Sequence, residues 1–235
     1  MRILFLLLLI FGFYSCEKID DDFNDICNSD CTVIEGTFTT ANDVPIKNVK
    51  IELDYRASTG TYGVSVRNIR QTKTNNTGYY RMEFFIEDNE LGESTDGYFR
   101  LQSDFSNVEN TNNYIIPINA LNGLDTYDVI YSINTRDTII NKSVYIPTKA
   151  ILKINLTNYF PIEQNDFFNV VGTYPGGSFS FSANSQPNQL FEMEVAQNEI
   201  TSIEVKKRKN GILSIVEEID LFIPENEILE LNYEY

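Results

Sequence analysis

Three cysteines, 34 acidic side chains and one basic cluster are the residues of this 235-residue chain with the clearest chemical potential, and the chain has no His and no Trp. Without His it lacks the commonest general base and metal ligand, and without Trp the ring best suited to stacking on sugars. A Ser, Thr or Cys nucleophile would need Lys or a carboxylate as its base, and there is no G-x-S-x-G elbow. Glycoside hydrolysis needs only two carboxylates. Glu192 with Glu194, or Glu217 with Glu218, would serve, although both pairs read more simply as the solvent faces of strands.

Other groups invite binding rather than catalysis. Glu87-Asp88-Asn89-Glu90, and Asp125 with Asp128, offer the oxygen ligands Ca²⁺ prefers, but their spacing matches no EF-hand and fits surface loops. Tyr62, Tyr79, Tyr80, Tyr98 and Tyr174 lie near predicted turns, where rings either grip a sugar or protein partner or fill a core. Lys206-Lys207-Arg208-Lys209 precedes Asn210-Gly211 and reads as a charged hairpin tip that keeps an edge soluble. The functional alternative aims this tip at anionic lipid headgroups or lipopolysaccharide phosphates. A net charge of -16 repels nucleic acid, which is excluded as a partner.

The N-terminus has the layout of a signal peptide: Met1 and Arg2, an apolar run from Ile3 to Phe13, then Tyr14, Ser15 and Cys16. A spanning helix needs about 20 apolar residues, and this run ends short of that at Glu17 and Lys18. Phe13-Tyr14-Ser15-Cys16 resembles a bacterial lipobox, although Phe13 and Tyr14 depart from the usual Leu and small residue. The resemblance implies cleavage before Cys16 and acyl chains on that cysteine, which anchor at ~0.8 kcal/mol per buried CH₂.

Glu17, Lys18, Asp20, Asp21 and Asp22 follow directly. They resemble the acidic export signal that carries Bacteroidetes lipoproteins to the outer face of the outer membrane, with the periplasmic face as the alternative. The bland reading is a solvated, disordered tether over residues 16–31, and a calcium site is a third. Cys27 and Cys31, spaced C-x3-C, are expected to form a small disulfide at the start of the first strand, since an exported chain meets an oxidising compartment. A zinc site would lack further ligands. Asp137-Thr138-Ile139 resembles the Bacteroidetes O-glycosylation site, which makes Thr138 the acceptor.

The elements that must position these groups are strands. Val49-Lys50-Ile51-Glu52-Leu53-Asp54-Tyr55 alternates apolar and charged residues, and the same period recurs at Ala150 to Leu156, Leu190 to Val195, Ile203 to Val205 and Leu229 to Tyr235. No stretch after Cys16 keeps a helical period. Turn residues punctuate the runs at Asn42-Asp43, Asn76-Thr77-Gly78, Asp96-Gly97, Asn122-Gly123, Pro175-Gly176-Gly177 and Asn210-Gly211. This predicts an all-β chain of two antiparallel sandwiches in tandem after a signal peptide and short disordered tether.

Ile34-Glu35-Gly36-Thr37-Phe38-Thr39, then Pro45-Ile46 before Val49, then Thr74-Asn75-Asn76-Thr77-Gly78-Tyr79-Tyr80 resembles the carboxypeptidase regulatory-like, transthyretin-like sandwich family. Asn48 stands where that family usually has Gly. The resemblance spans residues 32–88 and implies a sandwich with a non-catalytic role and no site residues. The predicted organisation is a signal peptide at 1–15, an acidic tether at 16–31, this sandwich at 32–125 and a second at 126–235, the boundary lying between Pro117 and Asn141. The predicted function is a lipid-anchored, non-catalytic envelope lipoprotein that binds or assembles; a carboxylate-based polysaccharide hydrolase and a structural spacer are the alternatives. No cofactor is expected. Its partners would be the membrane, through lipid on Cys16, and an envelope complex or glycan.

Overall fold

The computed structural model describes residues 18–21, 27–60, 63–92, 96–116, 126–130, 132–225 and 227–235. Cys16, Glu17 and Asp22 lie outside them, as do Tyr62 and Asp125. The described residues contain strands and three short 3-10 turns, at Ala41–Asp43, Asp88–Glu90 and Thr111–Asn113, and no α-helix. The chain divides into two compact units.

The first unit holds residues 1–37, 47–107 and 118–143. Its larger sheet is built from β1 (Lys18–Asp21), β4 (Lys50–Ser58), β5 (Val64–Lys73), β7 (Gly97–Asp104) and β8 (Thr126–Ile130), in the order β1-β5-β4-β7-β8. Against it lies β2 (Thr32–Thr40), flanked by β6 (Tyr79–Phe84) antiparallel and β9 (Ile139–Asn141) parallel. Alternation decides what is inside: Ile51, Leu53 and Tyr55 of β4 are buried, as are Tyr80, Met82 and Phe84 of β6. Phe99 of β7 joins the layers, its ring centroid 5.0 Å from Tyr55 and 6.0 Å from Phe84.

The motif residues of the family resemblance meet here. Thr74 donates its N–H to the Val49 carbonyl at 2.9 Å and accepts the Val49 N–H on Oγ1 at 2.9 Å, while Asn48 donates to the Thr74 carbonyl at 3.0 Å. Asn48 has φ +63°, a left-handed conformation that explains why a residue tolerant of it stands before β4. Gly36 of β2 is required by close approach: a Cβ there would meet the Lys142 carbonyl oxygen at 2.3 Å.

The second unit holds residues 38–46, 108–117 and 144–235. β3 (Val44–Pro45) and β10 (Val144–Tyr145) pair with the end of β2. Its sandwich packs β11 (Lys149–Thr157), β14 (Gln189–Ala196) and β17 (Ile228–Glu234), ordered β14-β11-β17, against β12 (Phe167–Tyr174), β13 (Gly177–Ser182), β15 (Ile200–Lys209) and β16 (Ile212–Phe222), ordered β13-β12-β15-β16. Leu152, Ile154, Leu156, Phe168, Val170, Val195, Ile203 and Val205 make one core, closed by ring contacts between Phe168 and Tyr233 and between Phe181 and Phe191.

Three features differ from the sequence reading. β8 and β9, which a boundary at 125/126 assigns to the second sandwich, pair with β7 and β2, so residues 118–143 fall in the first unit, while residues 38–46 and 108–117 fall in the second. Lys18, Asp20 and Asp21 form strand β1, parallel to Ser65–Asn68 of β5, instead of a disordered tether. A strand edge offers backbone donors and acceptors to any extended segment, whatever its side-chain charge. Finally, β17 pairs with β11 in parallel within otherwise mainly antiparallel sheets.

Candidate interaction surface

The sequence-predicted carboxylate sites are engaged locally. Glu192 and Glu194 stand on the outer face of β14, where Lys153 reaches Glu192 at 2.7 Å and Lys149 reaches Glu194 at 2.9 Å. Glu90 is buried and held by the Arg67 guanidinium, whose Nε donates at 2.7 Å, and Asp88 accepts from Arg136. Glu217 accepts the hydroxyl proton of Tyr233. Among the described residues no three Asp, Glu, His or Cys side chains converge as a metal requires.

The predicted aromatic grips divide. Tyr80 is core, its hydroxyl donating to the Lys142 carbonyl at 2.8 Å. Tyr79 donates to Glu35 at 2.7 Å, and that bond, with Arg81 alongside, holds the Glu35 carboxyl below the ordinary range. Tyr98 and Tyr174 are half-buried, and burial raises the Tyr174 phenol. Cys27 and Cys31 are disulfide-bonded directly before β2, with Cα atoms 5.8 Å apart. Thr138 is half-buried, and its carbonyl accepts the Val33 N–H at 2.8 Å.

On the outer face of β12, β15 and β16 a trough of ≈ 490 Å³ is lined by Val171, Thr173, Glu204, Glu218 and Asp220. Its carboxylates sit at regular outward positions: Glu204 pairs with Lys206 at 2.6 Å and Asp220 accepts from Ser202 at 2.6 Å. Glu218 faces Glu204 in the strand register.

The most distinctive surface is the β15–β16 hairpin. Asn210 (φ +52°) and Gly211 (φ +75°) make the two-residue turn expected of Asn-Gly, and the ladder begins at Lys209 opposite Ile212. Two anchors fix the tip. Asp166, 9% exposed, accepts N–H groups from Glu163 at 3.0 Å, Ile162 at 3.1 Å and Gly211 at 3.4 Å. The Glu163 bond is the main reason its carboxyl lies below the ordinary value. Tyr235 donates its hydroxyl to the Arg208 carbonyl at 2.5 Å, and its main-chain oxygen accepts from Lys209 at 2.9 Å. Burial pushes its phenol up to about 12.

β16 is the terminal strand of its sheet. Ile212, Leu213, Ile215 and Val216 are 72%, 54%, 57% and 39% exposed, so both faces of this segment meet solvent. A bulge follows, where the register passes from Lys206 opposite Ile215 to Val205 opposite Glu217. Sequence reasoning noticed the basic tip and missed this edge. The signal was there: Ile212-Leu213-Ser214-Ile215-Val216 does not alternate, unlike the neighbouring strands.

No protein-family model matches the chain, and no curated protein matches it. Among solved structures, the chain is similar to the Bacillus anthracis TIE protein (14% identity, TM-score 0.32, covering 87% of this chain and 34% of that one). It is similar to a Streptococcal ancillary pilin (11% identity, TM-score 0.31, covering 88% and 63%). It is also similar to the shaft pilin spaA from Lactobacillus rhamnosus GG, as a D295N mutant (8% identity, TM-score 0.30, covering 87% and 98%). The chain thus spans 34% and 63% of the lengths of the first two. At TM-scores this low the likeness carries no argument; the sandwich architecture rests on the strand pairing above.

Proposed function

We propose that this chain is a lipid-anchored envelope lipoprotein, held through Cys16 and presented on the outer face of the outer membrane, whose sandwiches serve as a non-catalytic binding or assembly module. The observation that carries the module reading is the uncharged, exposed strand edge at residues 212–216, a surface suited to adding another strand. The trough carboxylates favour a hydrolase less, since Glu204 and Asp220 are already bonded to Lys206 and Ser202. The anchor is supported by the apolar run ending at Ser15-Cys16, and the outward address by the acidic residues after it. The left-handed Asn48 and the Thr74–Val49 clasp support the carboxypeptidase regulatory-like reading of the first unit.

The test of the anchor is incorporation of a fatty-acid probe into the wild type and into Cys16→Ala. The wild type should be labelled and the variant not, and equal labelling removes the proposal. Replacing the acidic residues at 17 and 20–22 with Ala should then abolish digestion by protease added to intact cells, leaving the protein in the inner leaflet.

A further inference from the structure

Edge strands of soluble proteins are normally guarded by charge, Pro, short length or a covering element. β16 carries such protection over only half its length. Its second half bears Glu217, Glu218 and Asp220, whereas residues 212–216 bear no charge and are exposed on both faces. The adjoining arm of the hairpin has the opposite sign, with Lys206, Lys207, Arg208 and Lys209 on β15. Reading round the hairpin, the order is basic, apolar, acidic.

We propose that this edge is where two copies of the chain associate, β16 against antiparallel β16, about a two-fold axis close to Ser214. The charge order selects that occupant. Antiparallel self-pairing lays each apolar run against its own copy and carries each copy's Glu217 and Glu218 alongside the other's Asn210-Gly211 turn, beside the basic arm. Parallel self-pairing would set acid against acid. A two-fold contact requires a self-complementary patch, and the hairpin is one.

Arg208 faces Leu213 across the ladder, and Glu218 lies on the far side of the bulge. One strand per copy is a small contact, so the association is weak and concentration-dependent. The inference rests on the assembly role proposed above and names the partner.

The experiment is sedimentation velocity on the full chain across a range of concentrations, with Cys16→Ala removing lipid-driven clustering and stray thiol chemistry. A monomer–dimer equilibrium is expected. Leu213→Glu with Ile215→Glu, which sets acid directly opposite acid across the two-fold axis, should abolish it while leaving the circular dichroism unchanged, because both side chains are exposed. Glu218→Lys, which sets a base beside the partner's basic arm, should weaken it about tenfold. As a second measurement, Ser214→Cys should cross-link on oxidation and Ser178→Cys, on the opposite edge strand, should not. A chain monomeric at every concentration, a dimer insensitive to the edge substitutions, or equal cross-linking at both positions overturns the proposal. A monomer that still labels at Cys16 and captures an envelope protein would remove self-pairing and leave the assembly role standing.

Discussion

Arg100 of β7 and Asp54 of β4 form a buried ion pair between adjacent strands, with Arg100 Nε 3.2 Å from both carboxylate oxygens and the residues 5% and 6% exposed. They face each other directly in the strand register. Arg56 also approaches Asp54, its Nε 3.5 Å from Oδ1, so removing Arg100 leaves the carboxylate with this longer contact, and the loss should fall toward the lower end of the about 3–5 kcal/mol that breaking a buried pair costs. Arg100→Met should therefore shift the first unit's urea midpoint strongly downward. Arg100→Met with Asp54→Leu should recover much of the loss. A double variant no more stable than the single one contradicts this account.

Two glycines separate backbone from side-chain constraint. A Cβ on Gly36 meets the Lys142 carbonyl oxygen at 2.3 Å, whereas one on Gly172 meets the Phe179 ring at 2.1 Å. Backbone between β2 and β9 cannot turn aside, but a half-exposed ring can rotate. Gly36→Ala should cost about 1–3 kcal/mol or more, and Gly172→Ala distinctly less. Thermal unfolding of the two variants ranks them.

Asp166 ties the loop before β12 to the hairpin tip through backbone N–H groups that favour its ionised form. A carboxyl with a depressed folded pKa contributes stability that is present above its unfolded value, near 3.8, and is lost as pH falls through the folded pKa. The stability gap between wild type and Asp166→Asn should be full at neutral pH and close below that value. Chemical denaturation across acid pH measures it. A gap independent of pH would assign the Asp166 contribution to packing.

The last strand completes a sheet. β17 pairs with β11 through seven register positions from Ile151 opposite Ile228 to Thr157 opposite Glu234, and Tyr235 is buried behind them. Ending the chain after residue 227 would uncover Leu152, Ile154 and Leu156 and release the Tyr235 anchor of the hairpin. The second unit should then lose its cooperative thermal transition, while the first unit keeps its own.

The order of residues by itself determined the class of fold and most of the strands. Alternation at Val49 to Tyr55 and at Ala150 to Leu156 can be satisfied only by a half-buried strand, and Asn210-Gly211 specifies a tight hairpin from local dihedral preference alone. Such signals are short-range. They state which face of a strand is buried and leave open which strand lies beside it, or in which direction. Only the tertiary structure decided that β8 and β9 belong to the first unit, that β17 runs parallel to β11, and that Lys18–Asp21 pairs with β5. The same limit applies to the interaction surface. The basic tip and acidic half of the hairpin are visible as residue types, but the exposure of Ile212 to Val216 follows from β16 being the last strand of its sheet, a consequence of long-range pairing.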